Sequence, residues 1–274
     1  MKKALKFGLS AISLASLLAL TACGGGGGDQ APGGTPSTTP PPPAPTITVQ
    51  GTAPTVSANP LAVVFVPQTE ASTKSVLQSI ASNAFPASLQ TATAEGAYIQ
   101  LGIDSNSLIS LASGKVADVA GNGEFAIGRW TEGSSSIGSF NANQGAHYAV
   151  GKALKLVPDL TPGAEKACSL IASTAPTAIS GNFMPGKVNA AMATIAMVGP
   201  TLKSFNLDVA IGSDTHATAT ATLTALDGVL QSQGFLRHIQ TMGSDATKPL
   251  LAIGYATPTP SSGDVTGVVI LQCQ

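Results

Sequence analysis

The stretch SFNLDVAI, at residues 204–211, alternates polar and apolar side chains. Phe205, Leu207, Val209 and Ile211 share one face if this stretch is a β-strand, because successive side chains of a strand point to opposite sides. Residues 215–225 alternate threonine with small apolar side chains in the same way. This pattern is typical of antiparallel strands with one face in water, and it predicts a fold that is mainly β.

Further strands are predicted on both sides of this pair, because short apolar or alternating runs are bounded by proline, glycine and other turn residues. They cover residues 46–50, 61–66, 98–103, 124–130, 147–150, 168–173, 187–198, 229–236, 250–256 and 265–273. Residues 187–198 would also suit a helix, and residues 108–119 are ambiguous between helix and strand. Closing such strands into an antiparallel barrel would remove their exposed edges.

One helix is predicted over residues 72–84, where Val76, Leu77, Ile80 and Ala84 recur at helical spacing. A serine or threonine at its start would cap it, and the proline at position 86 would end it. We therefore expect residues 46–122 to form a mixed region with one helix, and residues 123–274 to form the antiparallel barrel.

The chain begins with a segment typical of export. Lysines near Met1 precede the apolar residues 7–20, which are too few to span a bilayer core that needs roughly 20. Residues 20–23, Leu-Thr-Ala-Cys, resemble the lipobox of bacterial lipoproteins. The resemblance implies that residues 1–22 are a signal peptide and that Cys23 carries the lipid. Within that resemblance, glycine instead of aspartate at position 24 implies sorting to the outer membrane. The alternative to a lipoprotein is an ordinary secreted protein in which the position of Cys23 is coincidental.

Residues 23–45 follow as a tether. A run of five glycines precedes a stretch rich in proline, threonine and serine, which has little apolar surface to bury. Without the first 22 residues the chain keeps 10 basic and 14 acidic residues, and it shows no basic patch. Nucleic acid is therefore not an expected partner.

Two cysteines remain beyond Cys23, namely Cys168 and Cys273. Export would place them in an oxidising compartment, which favours a disulfide, whereas two free buried thiols are the alternative. Cys168 opens the first strand after Gly163 and Cys273 closes the last strand. In an even-stranded antiparallel barrel these two strands pair in opposite directions, so the cysteines would meet.

Several short segments resemble the C-terminal barrel region of lipoproteins similar to transferrin-binding protein B. They are Gly128-Arg129-Trp130, residues 147–151 (HYAVG), residues 174–177 (TAPT), residues 252–255 (AIGY) and residues 266–270 (TGVVI). The resemblance implies an eight-stranded barrel on a lipid anchor, exposed at the cell surface in some members. Those members bind host metal-carrier or haem proteins through variable loops, so no binding residue can be assigned here.

Motifs for catalysis or metal binding are absent from the sequence, so we expect no enzyme activity, no cofactor and no metal. His147, His216 and His238 have no second ligand at metal spacing, and a packed strand position is the favoured interpretation of the His147–Tyr148 pair. Trp130 is expected to be a core anchor. The threonines at positions 218–224 are expected to form a solvated strand face.

Two functions follow as hypotheses. The first is a monomeric, lipid-anchored binding protein of the outer membrane whose barrel presents loops to a host protein or a small solute. The second is a structural envelope lipoprotein that docks to another membrane component without a soluble ligand.

The anchor hypothesis predicts the behaviour of Cys23→Ser. This variant should stay an unprocessed precursor without lipid and should move from the detergent phase to the aqueous phase on Triton X-114 partitioning, because the acyl chains supply the membrane affinity. If the variant still enters the detergent phase with processed mobility, Cys23 is not the lipid-bearing residue.

Overall fold

Two curled, mainly antiparallel sheets make up the part of the chain that the computed structural model describes, which is residues 46–232 and 234–274. Each sheet has nine strands and forms a half-barrel. The described segments contain no α-helix, and their one 3-10 helix is Ala87–Leu89. The prediction of a β-rich fold is confirmed, while the predicted signal peptide, Cys23 and the tether lie outside the described residues.

The first sheet contains all the strands before residue 153. They are β1 (Ile47–Gly51), β2 (Leu61–Val66), β3 (Ile80–Phe85), β4 (Thr91–Ala92), β5 (Tyr98–Gly102), β6 (Leu108–Gly121), β7 (Phe125–Ser135), β8 (Gly138–Phe140) and β9 (Ala146–Lys152). Their order is β3-β2-β9-β7-β6-β5-β4, with β1 parallel to β6 and β8 paired to β7. Strand β3 therefore lies at one edge.

The second sheet contains the strands after residue 164. They are β10 (Glu165–Ser173), β11 (Thr177–Ala178), β12 (Lys187–Ala196), β13 (Thr201–Ile211), β14 (Asp214–Thr224), β15 (Gly228–Ser232), β16 (Phe235–Met242), β17 (Leu250–Thr259) and β18 (Gly263–Cys273). Their order is β14-β13-β12-β10-β18-β17-β16-β15, with β11 on β18. Among the described residues no pairing joins β14 to β15, so this sheet is a half-barrel with two edges.

The two sheets share one apolar layer. Its members come from β2, β7 and β9 on one side and from β16, β17 and β18 on the other, and all are at most 4% exposed: Ala62, Val64, Val66, Phe125, Ile127, Ala149, Met242, Leu250, Ala252, Val268 and Ile270. Each sheet also encloses a core of its own on its other face. Central strands such as β2 are consequently buried on both faces, which explains the continuous apolar run LAVVFV.

The strands that carry the two cysteines pair as the sequence predicted. Strands β10 and β18, the first and last of the second sheet, are antiparallel, and Cys168 lies directly opposite Cys273. Their Sγ atoms are 1.98 Å apart, at disulfide distance. The sheet is therefore continuous where its first and last strands meet, and its edges lie instead at β14 and β15.

The predicted helix over residues 72–84 is wrong. The backbone N–H and the hydroxyl of Ser72 both donate to Asp264 Oδ2, at 2.8 and 2.9 Å, instead of capping a helix. Residues 80–85 form strand β3 against β2. Long-range pairing with an apolar strand has overridden a helical spacing that was only local.

Two boundaries also differ from those predicted. The division between the sheets falls between Lys152 and Glu165, not at residues 122 and 123, because β7 and β9 pair within the first sheet. The single strand predicted over residues 229–236 is two strands, β15 and β16, which pair as a hairpin. The ambiguous residues 108–119 belong to the long strand β6, and residues 187–196 form a strand as predicted.

A disulfide between Cys168 and Cys273 stays a prediction with a definite size. It would close a loop across a sequence separation of 105 residues, so its loss by Cys168→Ala with Cys273→Ala should lower the free energy of unfolding by about 2–4 kcal/mol. Guanidinium titration of the protein lacking Cys23 measures this difference. Labelling of two thiols per chain in the unfolded, unreduced protein would contradict the bond.

Candidate binding groove

An apolar groove of about 600 Å³ lies beside the edge strand β3. Its walls come from four separate parts of the chain, namely residues 77–82, the β5–β6 hairpin, the β7–β8 turn and strand β15. Leu77, Ile80, Leu108, Ile137 and Val229 supply its main apolar surface. None of the 14 lining residues is Asp, Glu, Lys, Arg or His, so the groove has no charged side chain in its wall.

The groove concentrates apolar side chains that water reaches. Leu77 is 100% exposed, and Ile103, Leu108 and Val229 are 43%, 38% and 37% exposed. Single exposed apolar residues are normal in soluble proteins, whereas several around one concave surface indicate a binding site. The groove is therefore the strongest candidate site in the described part of the chain.

The hairpin that carries Leu108 depends on a glycine opposite it. Gly102 pairs with Leu108 across β5 and β6, and a Cβ on Gly102 would lie 2.3 Å from Leu108 Cδ2. Glycine thus leaves room for the leucine side chain at the groove rim. The neighbouring turn presents Ile137 just before Gly138, whose φ of 141° is one that glycine favours.

Residues 67–79, here called the strap, line the groove with their last three residues, 77–79, and are tied to both sheets. The N–H of Gly145, next to β9, donates to Gln68 Oε1 at 2.6 Å, and Gln68 Nε2 donates to the carbonyl of Ile179 at 3.0 Å. Ser72 bonds Asp264 at the start of β18. These contacts fix the strap between the sheets, so the position of Leu77 depends on both.

A buried carboxylate holds the end of the strap that reaches the groove. The hydroxyl of Ser79, a lining residue, donates to Glu70 Oε2. Glu70 and His238 are both fully buried, and His238 Nε2 lies 3.5 Å from Glu70 Oε1. Among the described residues, neither Glu70 Oε1 nor His238 Nε2 has a hydrogen-bond partner. Burying such groups is costly unless they are paired, so the hydrogen bond from Ser79 favours one position of the strap.

His147, for which the sequence favoured a packed strand position, lies buried in β9 at the contact between the sheets. It is fully buried, with Nδ1 2.9 Å from Thr174 Oγ1 and Nε2 2.9 Å from Thr177 Oγ1. The N–H of Val268 in β18 donates to Thr174 Oγ1 at 3.0 Å. Burial, and then the positive charge of Arg129, hold the pKa of His147 well below its ordinary value, so the imidazole is neutral at pH 7.

Trp130 and Arg129 point to opposite sides of β7, as adjacent strand residues should. Trp130 is fully buried in the core of the first sheet, and its indole N–H donates to the carbonyl of Tyr98 at 2.8 Å. Arg129 Nε instead donates to Asp118 Oδ2 at 2.8 Å. The interpretation of Trp130 as a core anchor is confirmed.

The remaining polar candidates lie on the outer face of the second sheet. His216 Nδ1 is 2.8 Å from Asp208 Oδ2, and His216 is 70% exposed. Burial opposes ionisation of Asp208, but hydrogen bonds with His216 and Asn189 outweigh it and lower the pKa of this carboxyl. Thr218, Thr220 and Thr222 are exposed on the same face, which confirms the prediction of a solvated strand face.

Within residues 46–232 and 234–274, no group of three or more His, Cys, Asp or Glu side chains is placed to hold a metal ion. The same residues contain no helix long and apolar enough to cross a bilayer. Comparison of the chain with protein-family models, with curated proteins and with solved structures finds no match.

Sequence reasoning missed the groove because its parts are far apart in the chain. Leu77 was assigned to the apolar face of a helix, and Val229 to a continuous strand. Ile103 and Leu108 flank a hairpin turn and carry no chemical signature. Only the tertiary arrangement of these common residues makes a site.

The buried imidazole predicts a specific dependence of stability on pH. Because the pKa of His147 is lowered on folding, the unfolded chain binds more protons, and its contribution to stability is lost as pH falls below about 6.5, at up to about 1.4 kcal/mol per pH unit. Urea titrations from pH 7.5 to 5 should show this slope in the wild type and in the exposed-site control His216→Gln, but not in His147→Gln.

Nuclear magnetic resonance provides an independent measurement on the wild-type protein. The His147 ring resonances should not titrate between pH 7.5 and 5 while the protein stays folded. A midpoint near 6.5 for this ring would contradict the account of its burial.

Proposed function

We propose that this chain is a lipid-anchored binding protein of the bacterial outer membrane, in which the two sheets are the scaffold and the groove beside β3 receives the ligand. The observation that carries the proposal is the cluster of exposed apolar side chains at Leu77, Ile103, Leu108 and Val229 around one uncharged hollow. Binding a partner that removes these side chains from water lowers the free energy of the system.

A second hollow of about 600 Å³ near Leu154 and Pro200 supports binding less well. Its wall includes Lys155 and Asp227, and its leucines are not among the exposed large apolar residues. It therefore presents fewer exposed large apolar side chains than the groove beside β3. This comparison favours the groove beside β3 as the ligand site.

The proposal also covers the membrane anchor and the resemblance to lipoproteins similar to transferrin-binding protein B. The signal segment and Cys23 favour attachment to the outer membrane, with the folded part at the cell surface. The second sheet, whose eight-strand order runs from β14 to β15, corresponds in our proposal to the eight-stranded barrel of lipoproteins similar to transferrin-binding protein B. The ligand would be a host protein, among which metal carriers and haem proteins are candidates, or a small solute.

The alternative function is a structural lipoprotein that uses the same surface to dock to another envelope component. It shares the anchor and the groove with the first proposal, but its partner is present in the bacterium itself. The two functions therefore differ in where the partner comes from.

A photo-crosslinking residue at position 77 tests the proposal and separates it from the alternative. p-Benzoylphenylalanine in place of Leu77 should form an adduct on intact cells in host serum, whereas the matched control at Leu160, also exposed (78%) but outside the groove, should not. An adduct that forms equally without serum would favour the structural function. Equal adducts at both positions, or none at position 77, would contradict the groove as the binding site.

A further inference from the structure

Strand β3 lies at the end of the described sheet and lines the groove. It pairs with β2 through Ile80, Ala81 and Ser82, opposite Phe65, Val64 and Val63. In the described sheet no strand pairs with its other side. An edge of this kind presents N–H and C=O groups that are ready to pair with another chain.

The same three residues line the groove. Ile80, Ala81 and Ser82 are each half-buried, and they line the groove together with Leu108 and Val229. A free strand edge and an apolar hollow therefore coincide. The strand reads Ile-Ala-Ser-Asn-Ala-Phe and contains no lysine, glutamate or proline, which are residues that commonly protect an edge from strand addition.

Two kinds of occupant fit the volume of the groove. A small apolar molecule would cover the leucines and valine but would exclude water from the edge of β3 without pairing its N–H and C=O groups, which costs free energy. An extended polypeptide would pair with these groups and also place alternate side chains in the hollow. The edge thus favours the polypeptide.

The absence of charged side chains in the lining indicates which polypeptide segments the groove can accept. With no ionisable side chain in the wall, a charged group entering the groove would lose its hydration without gaining a partner. At about 3.3 Å per residue, the six residues of β3 offer an edge of about 20 Å, which suits a segment of about five or six residues.

We propose that the groove receives an extended, uncharged segment of another protein, which adds to β3 as a further strand and directs apolar side chains at alternate positions toward Leu77, Leu108 and Val229. This inference rests on the proposed function of the groove as the ligand site, and it identifies the class of ligand.

Selection of random ten-residue peptides displayed on phage, with the full-length protein in detergent as target, tests the proposal. Enriched peptides should be uncharged and apolar at every second position. Their affinity, measured by fluorescence anisotropy, should fall at least tenfold for Leu108→Ser and stay unchanged for the control Leu160→Ser. Both leucines reach solvent, so neither change should prevent folding, which circular dichroism and thermal unfolding of each variant can verify.

Backbone methylation tests the strand pairing itself. Methylating the peptide nitrogens at one alternating set of positions should weaken binding at least tenfold, because those N–H groups pair with β3, while the other set should tolerate it. Failure to enrich peptides, enrichment of charged or non-alternating sequences, or indifference to methylation at every position would overturn the proposal.

Nile red separates this inference from the proposed function. If its fluorescence rises with the wild type but not with Leu108→Ser, while no peptide binds, the groove is a site for small apolar molecules and only the strand-addition proposal fails. If neither Nile red nor any peptide binds, the groove is not a ligand site and both proposals fail.

Discussion

The apolar layer between the two sheets is the constraint on which the rest of the structure depends. It requires β2, β9, β17 and β18 to be buried on both faces over most of their length, so apolar residues lie on both faces of these strands instead of on one. A polar group that enters the layer is costly unless it finds a partner. The neutral His147 between Thr174 and Thr177 shows how this is done, since it joins β9 to the segment that contacts β18.

The groove is a consequence of this packing. Once the central strands are stacked, the edge strand β3 of the first sheet comes near β15 of the second, and the strap must cross from one sheet to the other. The hydrogen bonds of Ser72 with Asp264 and of Gln68 with Ile179 hold the strap in that crossing. A site built in this way needs both sheets. Val229 lines it from the second sheet, Leu108 lines it from β6 of the first sheet, and Leu77 lines it from the strap.

Sequence patterns predicted individual strands, and they predicted the one strand pairing that follows directly from the order of strands in an antiparallel barrel. Strand 61–66 was predicted to the residue, and the meeting of Cys168 with Cys273 followed from first and last strands running in opposite directions. The helix over 72–84 failed because its spacing is local, whereas the pairing of Ile80–Phe85 with β2 is not. The assignment of β7 and β9 to the first sheet, and the groove itself, depend on partners that alternation does not specify.

Native-state hydrogen exchange of the full chain is the most direct test of the central claim, that the shared layer makes the two sheets one cooperative structure on which the groove is built. The account predicts that the slowest amides of β2 in the first sheet and of β17 in the second have the same opening free energy and the same dependence on denaturant, since both require global unfolding. Distinct opening free energies, with one sheet still protected while the other exchanges, would contradict it.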